Sequence, residues 1–174
     1  RDLHSFPTRR SSDLEPAKYL EQRLWTQVGA EHDASWVLDR PQGAEVGGIG
    51  FNATVRDYAK IGQLMLNDGL WQSKRLLPSG WVRQATTPDG PHVQYGKLHR
   101  GNSEGYGYQW WLIPGQDGAY CAQGIFGQMI YVNRALRLVV AKASVWPKTA
   151  DAQLKEEAWT AFRSVGVELQ ESAR

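Results

Sequence analysis

The chain has 174 residues, which suits one domain. Its formal net charge of +2 at pH 7 argues against the basic surface of a protein that binds nucleic acid or an anionic membrane. No apolar stretch approaches the roughly 20 residues that span a bilayer. The single cysteine, Cys121, excludes an internal disulfide, and no Cys/His spacing indicates a metal site or a cofactor.

The first segment, Arg1–Leu14, differs from the rest of the chain because it has no apolar periodicity, no helix-capping pattern and no hydrophobic run. A secretory signal needs a continuous apolar segment behind its basic start, and this segment has none. Asp2 and Asp13 argue against a mitochondrial targeting sequence. The segment resembles the translation of a sequencing-library adapter, so we predict that it is foreign to the protein. The cellular compartment is left open, with a preference for the bacterial periplasm.

The first genuine element is a helix predicted over Glu15–Val28. Pro16 suits its first position, Gly29 suits its end, and four apolar residues share one face: Ala17, Leu20, Leu24 and Val28. Residues 30–52 are rich in glycine and charge but contain Trp36 and a phenylalanine. We therefore predict an ordered loop with short extended pieces, not a flexible linker.

The clearest helix is predicted over Thr54–Asp68. Thr54 and Asp57 have nearly the spacing of a capping box, and Gly69 is a suitable stop. Asp57 is then part of the cap, and Lys60 presents a charge to solvent. Six residues make one side apolar: Val55, Tyr58, Ile61, Leu64, Met65 and Leu66.

A short helix is predicted to start near Pro78 and to carry Trp81 and Val82. The polar stretch Pro88–Gly105 contains glycine and proline, which predicts a surface loop. Three histidines lie in loops without partners at metal-ligand spacing, so we predict that they are solvated: His32, His92 and His99.

From Gly105 onward the pattern changes to strands separated by short turn signals. Four are predicted, over Tyr106–Ile113, Ala119–Gln123, Gln128–Asn133 and Arg137–Ser144. Their short connections favour an antiparallel meander. A closing helix over Ala150–Leu169 is predicted to cover the sheet with one apolar face: Leu154, Ala158, Ala161, Phe162 and Val165. This order of elements predicts an α+β fold.

Three segments in a fixed order carry a family resemblance. Residues 47–88 (GGIGFNATVRDYAKIGQLMLNDGLWQSKRLLPSGWVRQATTP) contain a Gly-rich loop, a long helix and Leu-Pro-x-x-Trp-Val, and they precede YGYQWW at 106–111 and AQGIFGQMIYVNRALRLVVAKAS at 122–144. Together they resemble the beta-lactamase-like, penicillin-binding-protein-like serine hydrolases, in the branch of 6-aminohexanoate-dimer hydrolases and related esterases. The resemblance implies a partial beta-lactamase/transpeptidase-like fold, with residues 15–174 as the C-terminal part of such a domain.

That family uses a Ser-x-x-Lys pair, a Tyr-x-Asn element and a third element on a strand. No serine of this chain has a lysine three positions on. One Tyr-x-Asn occurs, Tyr131-Val132-Asn133, but it follows the third element instead of preceding it, so we predict a packing role for Tyr131. The resemblance therefore implies that the nucleophile lies upstream of Glu15, and that the chain alone is inactive and exposes apolar surface and strand edges.

The third element, Lys-Thr-Gly in the family, is similar to Ala122-Gln123-Gly124. The resemblance then implies that the main-chain N–H of Ile125 is one donor of the oxyanion hole. Alanine at the first position cannot hold a substrate carboxylate, which puts β-lactam hydrolysis in doubt and favours an amide or ester. The predicted substrate-binding residues are Trp111, Gln123, Gly124, Phe126, Gly127 and Gln128.

Individual roles near this element follow from strand geometry. Trp110 and Trp111 point to opposite faces, and we favour Trp111 as the cleft residue. Tyr106 and Tyr108 then share the face of Trp110. Gly124 and Gly127 permit close backbone approach, while Gln128 sets the loop by hydrogen bonding. The alternative is a glycine-rich turn without a site, and Cys121 is predicted to be a buried, inert thiol.

The predicted function is that of a truncated serine hydrolase that acts on a small-molecule amide or ester through an acyl-serine intermediate. The alternative is a non-catalytic member of the superfamily that binds or scaffolds. No cofactor, metal or nucleic acid is expected, and the oligomeric state is left open.

Overall fold

A computed structural model describes residues 16–99, 101–116 and 118–173, which divide into two units at Ala53 and Thr54. In the first unit, helix α1 (Pro16–Leu20) continues as one wider π-helical stretch, Glu21–Trp25. Two short strands, β1 (Ser35–Trp36) and β2 (Phe51–Asn52), pair antiparallel. The Trp36 indole N–H donates to Val46 O at 2.8 Å, so the loop is ordered, as its tryptophan predicted.

The second unit begins with helix α2 (Val55–Leu66). Thr54 caps it in the predicted way: its Oγ1 accepts from the Asp57 N–H at 3.1 Å and donates to the Asp57 carboxylate at 2.8 Å. The prediction of a solvent-facing Lys60 is wrong. Its ammonium lies 3.2 Å from Asp57 Oδ1 and its side chain is only 16% exposed, because the fully buried carboxylate requires a cation.

A hairpin, β3 (Leu70–Trp71) with β4 (Lys74–Arg75), and helix α3 (Trp81–Ala85) follow. A five-stranded antiparallel meander comes next, in the order β5-β6-β7-β8-β9. Its strands are β5 Gly105–Tyr106, β6 Trp111–Leu112, β7 Tyr120–Gln123, β8 Met129–Asn133 and β9 Leu138–Lys142. The meander confirms the predicted topology, but the single strand predicted over Tyr106–Ile113 is wrong. Gln109 adopts a φ of 64°, so the segment turns back on itself as two short strands.

The sheet is covered on both faces, which explains why its strands are apolar with little alternation. One face packs beneath α2 and α3 in a cluster of Met65, Val82, Ala85, Trp110, Leu112, Tyr120 and Val132. The other face packs beneath the last helix, α4 (Ala152–Ser172), in a cluster of Ile113, Ala119, Cys121, Met129, Tyr131 and Trp159.

Helix α4 begins at the cap residue Asp151, whose carboxylate accepts from the Leu154 N–H at 3.1 Å. Its predicted apolar face is confirmed in part, since Ala158 and Phe162 pack against the sheet but Ala161 and Val165 are exposed. Trp159 and Gly166 are the buried residues, whereas Val165 is 52% exposed, because the large indole takes the centre of the helix–sheet contact. In the described part of the chain, no helix has both the length and the apolar character needed to cross a membrane.

Candidate functional site

The site predicted from the sequence lies where β7 ends. The last ladder pair is Gln123 with Met129. Beyond it the Gly124 N–H donates to Gln128 O at 2.9 Å, and a single 3-10 turn, Ile125–Gly127, returns the chain to β8. Residues 124–128 are called the β7–β8 loop below.

The β7–β8 loop is held by the end of β9 and by the segment that follows it. The Phe126 N–H donates to Thr149 O at 2.9 Å, and the Trp146 N–H donates to Phe126 O at 3.1 Å. The Lys142 ammonium, whose pKa is lowered by burial, donates to Gly127 O at 3.1 Å. The loop is therefore fixed from one side by three hydrogen bonds.

The Gln128 side chain adds two hydrogen bonds between the β7–β8 loop and the segment that follows β9. Its Oε1 accepts from the Ser144 N–H at 3.1 Å, and its Nε2 donates to Ser144 O. The prediction that Gln128 sets the loop by hydrogen bonding is confirmed.

The two glycines of the loop leave space that neighbouring side chains occupy. Gly127 has a φ of +86°, and a Cβ there would lie 2.4 Å from the Trp146 ring. A Cβ on Gly124 would lie 3.0 Å from the Gln128 Cβ. The close approach predicted for these glycines therefore involves residues of the protein itself.

Ile125 differs from its neighbours in its main-chain hydrogen bonding. The N–H groups of Gly124 and Phe126 are both bonded, but the Ile125 N–H has no acceptor among the residues that the structure describes. The residue is 63% exposed. Its amide is thus a free donor on an otherwise fixed loop, just beyond the end of the ladder.

A cavity of about 370 Å³ lies beside the end of β7. Gln123 and Gly124 line it, together with Glu104, Lys155 and the start of α4. The predicted oxyanion donor, Ile125, and the other predicted substrate-binding residues are not among its lining: Trp111, Phe126, Gly127 and Gln128. The structure therefore brings two of the predicted residues to this cavity and leaves the loop tip outside it.

Trp110 and Trp111 lie on opposite faces, as predicted. Trp110 is buried beneath α3 with its ring 5.2 Å from that of Tyr120, while Trp111 pairs with Cys121 and lies on the α4 face. The prediction that Tyr106 shares the face of Trp110 is wrong, because its ring packs edge-on against Trp111 at 4.9 Å. The turn between β5 and β6 breaks the alternation on which that prediction depended.

A buried polar cluster was missed by the sequence interpretation, and we call it the Glu104 cluster (Asn102, Glu104, Gln123 and Lys155). Glu104 is 1% exposed although it falls in the predicted surface loop. Its carboxylate accepts from Gln123 Nε2 at 2.6 Å, from Lys155 Nζ at 2.6 Å and from Asn102 Nδ2 at 2.9 Å. The only signal in the sequence was Lys155, which lies one helical turn before the buried Trp159.

Other candidate residues have structural roles. Tyr131 is fully buried; its hydroxyl donates to Gln116 Oε1 at 2.9 Å and accepts from Asn133 Nδ2 at 3.1 Å. Burial raises the pKa of Tyr131, which opposes the proton loss that a catalytic base requires. Burial also raises the pKa of the fully buried Cys121 thiol, in agreement with its predicted inertness.

Three of the histidines lie within the described residues. His32, His92 and His99 are exposed, as predicted. Among the described residues, no group of three or more His, Cys, Asp or Glu side chains is arranged to hold a metal ion.

The profile of the Beta-lactamase family matches residues 6–161. The match begins inside Arg1–Leu14, so the interpretation of that segment as adapter sequence stays a prediction. Among curated proteins, a 6-aminohexanoate-dimer hydrolase of Paenarthrobacter ureafaciens is 28% identical over 155 residues, which are 84% of this chain and 38% of that protein.

Solved structures give the same relationship. A Bacillus anthracis protein provisionally described as a 6-aminohexanoate-dimer hydrolase superposes with a TM-score of 0.74 and 29% identity, over 88% of this chain and 38% of that one. A Bacteroides dorei protein provisionally described as a beta-lactamase has a TM-score of 0.55 and 15% identity, over 83% of this chain and 50% of that one, and shows the fold alone. The predicted α+β fold is confirmed, and the chain spans 38% of the length of the two hydrolase relatives.

Proposed function

The chain belongs to the beta-lactamase family, and we propose that it forms the oxyanion side of an acyl-serine hydrolase site. In such a reaction a serine hydroxyl attacks an amide or ester carbonyl after a base takes its proton. The carbonyl oxygen then becomes an oxyanion that needs preorganised N–H donors. We assign one donor to Ile125 and the other to the serine itself.

The observation that carries this proposal is the free N–H of Ile125 between two bonded neighbours. A donor on a fixed loop is already oriented when the oxyanion forms, so no reorganisation is required during the reaction. The loop contacts of Gln128, Lys142 and Trp146 supply that rigidity.

The proposed substrate is a small-molecule amide or ester. Ala122, at the position where the family has a basic residue, is partly buried against the apolar cluster beneath α2 and α3. It provides no cation for a substrate carboxylate. The curated relative is named for hydrolysis of the 6-aminohexanoate dimer, which agrees with an amide substrate.

The nucleophile and its base are proposed to come from sequence upstream of Glu15, because the 174 residues contain no Ser-x-x-Lys. The purified chain is therefore expected to show no turnover of a chromogenic ester. Turnover that a serine-directed phosphonate abolishes would contradict this. The matched positive control is the same chain continued upstream through the expected Ser-x-x-Lys and Tyr-x-Asn.

The upstream sequence also tests the alternative function. If other residues replace the Ser-x-x-Lys and Tyr-x-Asn elements there, the protein is a non-catalytic binding or scaffolding member of the superfamily.

A further inference from the structure

Glu104 is a buried carboxylate that joins three separate parts of the second unit. Its hydrogen-bond donors come from the loop before β5 (Asn102), from the last residue of β7 (Gln123) and from the first turn of α4 (Lys155). Asn102 is itself fixed, because its Oδ1 accepts from the Glu104 N–H at 2.8 Å. The carboxylate is thus held in one orientation, because Gln123 binds Oε1 while Asn102 and Lys155 bind Oε2.

Within residues 16–99, 101–116 and 118–173, Lys155 is the cation that compensates the charge of Glu104. The Lys155 ammonium lies 2.6 Å from Glu104 Oε2, and the lysine side chain is 21% exposed. The ammonium also lies 5.1 Å from the centre of the Trp159 ring, which fixes it over the buried face of α4. Removing the lysine would take this counter-charge away from a buried carboxylate, which is strongly destabilising unless the carboxylate moves or is neutralised.

Gln123 connects this ion pair to the β7–β8 loop. It is the last paired residue of β7, its amide donates to Glu104 Oε1 at 2.6 Å, and the next peptide leads through Gly124 to Ile125. The contacts of Gln128, Lys142 and Trp146 fix the far side of the loop, and Gln123 is the point where the Glu104 cluster fixes the near side.

We propose that Glu104 and Lys155 are positioning residues that set the direction of the Ile125 N–H through the side chain of Gln123. This inference rests on the proposed function for its catalytic meaning. The positioning itself is a property of the free chain and is measured without substrate.

The test uses the 174-residue chain and amide hydrogen exchange followed by ¹⁵N NMR. Lys155→Met keeps the apolar stem and removes the charge, so Glu104 must move or take up a proton. We expect the Gly124 amide to exchange about tenfold faster or more after correction for global stability, together with a shift of the Ile125 resonance. The double variant Glu104→Gln/Lys155→Met, which buries no unpaired charge, is expected to recover most of the Gly124 protection.

Tyr131→Phe is the matched control. It removes a buried hydroxyl that bonds Gln116 and Asn133 on the same face of the sheet, without touching Gln123. This variant is expected to lower global stability and to leave the Ile125 resonance in place. If Lys155→Met shifts Gly124 and Ile125 no more than this control does, the cluster has only a structural role and the proposal is overturned.

A second variant keeps the proposal testable if Lys155→Met does not fold. Gln123→Met retains the ion pair and removes only the link to β7, and it is expected to cause the same local loss of protection at Gly124. An unchanged Gly124 exchange rate in Gln123→Met would overturn the proposal. Because no substrate is involved, these outcomes are independent of whether Ile125 serves a reaction.

Discussion

Ile125→Pro is expected to lower kcat by about 10²–10³-fold in the chain joined to its serine-bearing upstream part, because it deletes one donor of the oxyanion hole. KM is expected to change little, since the donor acts chiefly when the negative charge has formed. The measurement is steady-state hydrolysis of a chromogenic ester and of a short amide.

The backbone accepts proline at this position. Ile125 is the first residue of a 3-10 turn, where an N–H has no intrahelical partner, and Gly124 has a φ of −110° and a ψ of 166°, which suit a residue before proline. Ile125→Val keeps the N–H and is the control. Equal kcat values for the proline and valine variants would rule out the role that we assign to Ile125.

Trp159→Ala is expected to lower the free energy of unfolding by about 3–5 kcal/mol, as for other large buried aromatic residues. Trp159 is 1% exposed and lies at the centre of the contact between α4 and the sheet. Its removal leaves a cavity above Cys121, which is otherwise fully buried.

Two readouts check this prediction. Urea denaturation gives the loss of stability, and the rate of Cys121 labelling by a thiol reagent under native conditions is expected to rise with it. Trp159→Phe, which keeps most of the apolar volume, is the control. Its free energy of unfolding and its Cys121 labelling rate are both expected to stay closer to those of the unchanged chain. A labelling rate for Trp159→Ala equal to that of the unchanged chain would show that the indole does not cover the thiol.

The elements that could be predicted from the sequence are those fixed by local signals. Thr54 and Asp57 predicted the start of α2 through their spacing, and the hydrogen bonds between them are present. The turn signals Pro114-Gly115, between β6 and β7, and Asn133-Arg134, between β8 and β9, predicted the meander for the same reason. Each of these signals acts over a few residues, so no knowledge of the remaining fold was required.

Features that depend on contacts distant in sequence could not be predicted. Glu104 is buried because Lys155, 51 residues later, supplies its counter-charge, and nothing near Glu104 indicates this. The turn at Gln109 splits an apolar run that otherwise reads as one strand. The face of α4 was predicted only in part: Ala158 and Phe162 pack against the sheet, but periodicity alone did not identify Trp159 as the centre of the contact.

The candidate site was found through the order of family segments and not through the residues alone. Gly124 and Ile125 form a weak motif by themselves, and the resemblance of Ala122-Gln123-Gly124 to the family's third element is what implied a donor role for the Ile125 N–H. Gln123 was assigned to substrate binding, but its side chain contacts Glu104 within the protein. The family resemblance located Gln123 in the site, but it did not indicate which groups its side chain contacts.

Hydrogen exchange at three consecutive amides tests the assignment of Ile125 as a free donor most directly. In the unchanged chain, the Gly124 amide, bonded to Gln128 O, and the Phe126 amide, bonded to Thr149 O, are expected to exchange slowly. The Ile125 amide between them is expected to exchange faster by about tenfold or more. Protection of Ile125 equal to that of its two neighbours would mean that its N–H is already paired within the protein, and no oxyanion donor would remain at the end of β7.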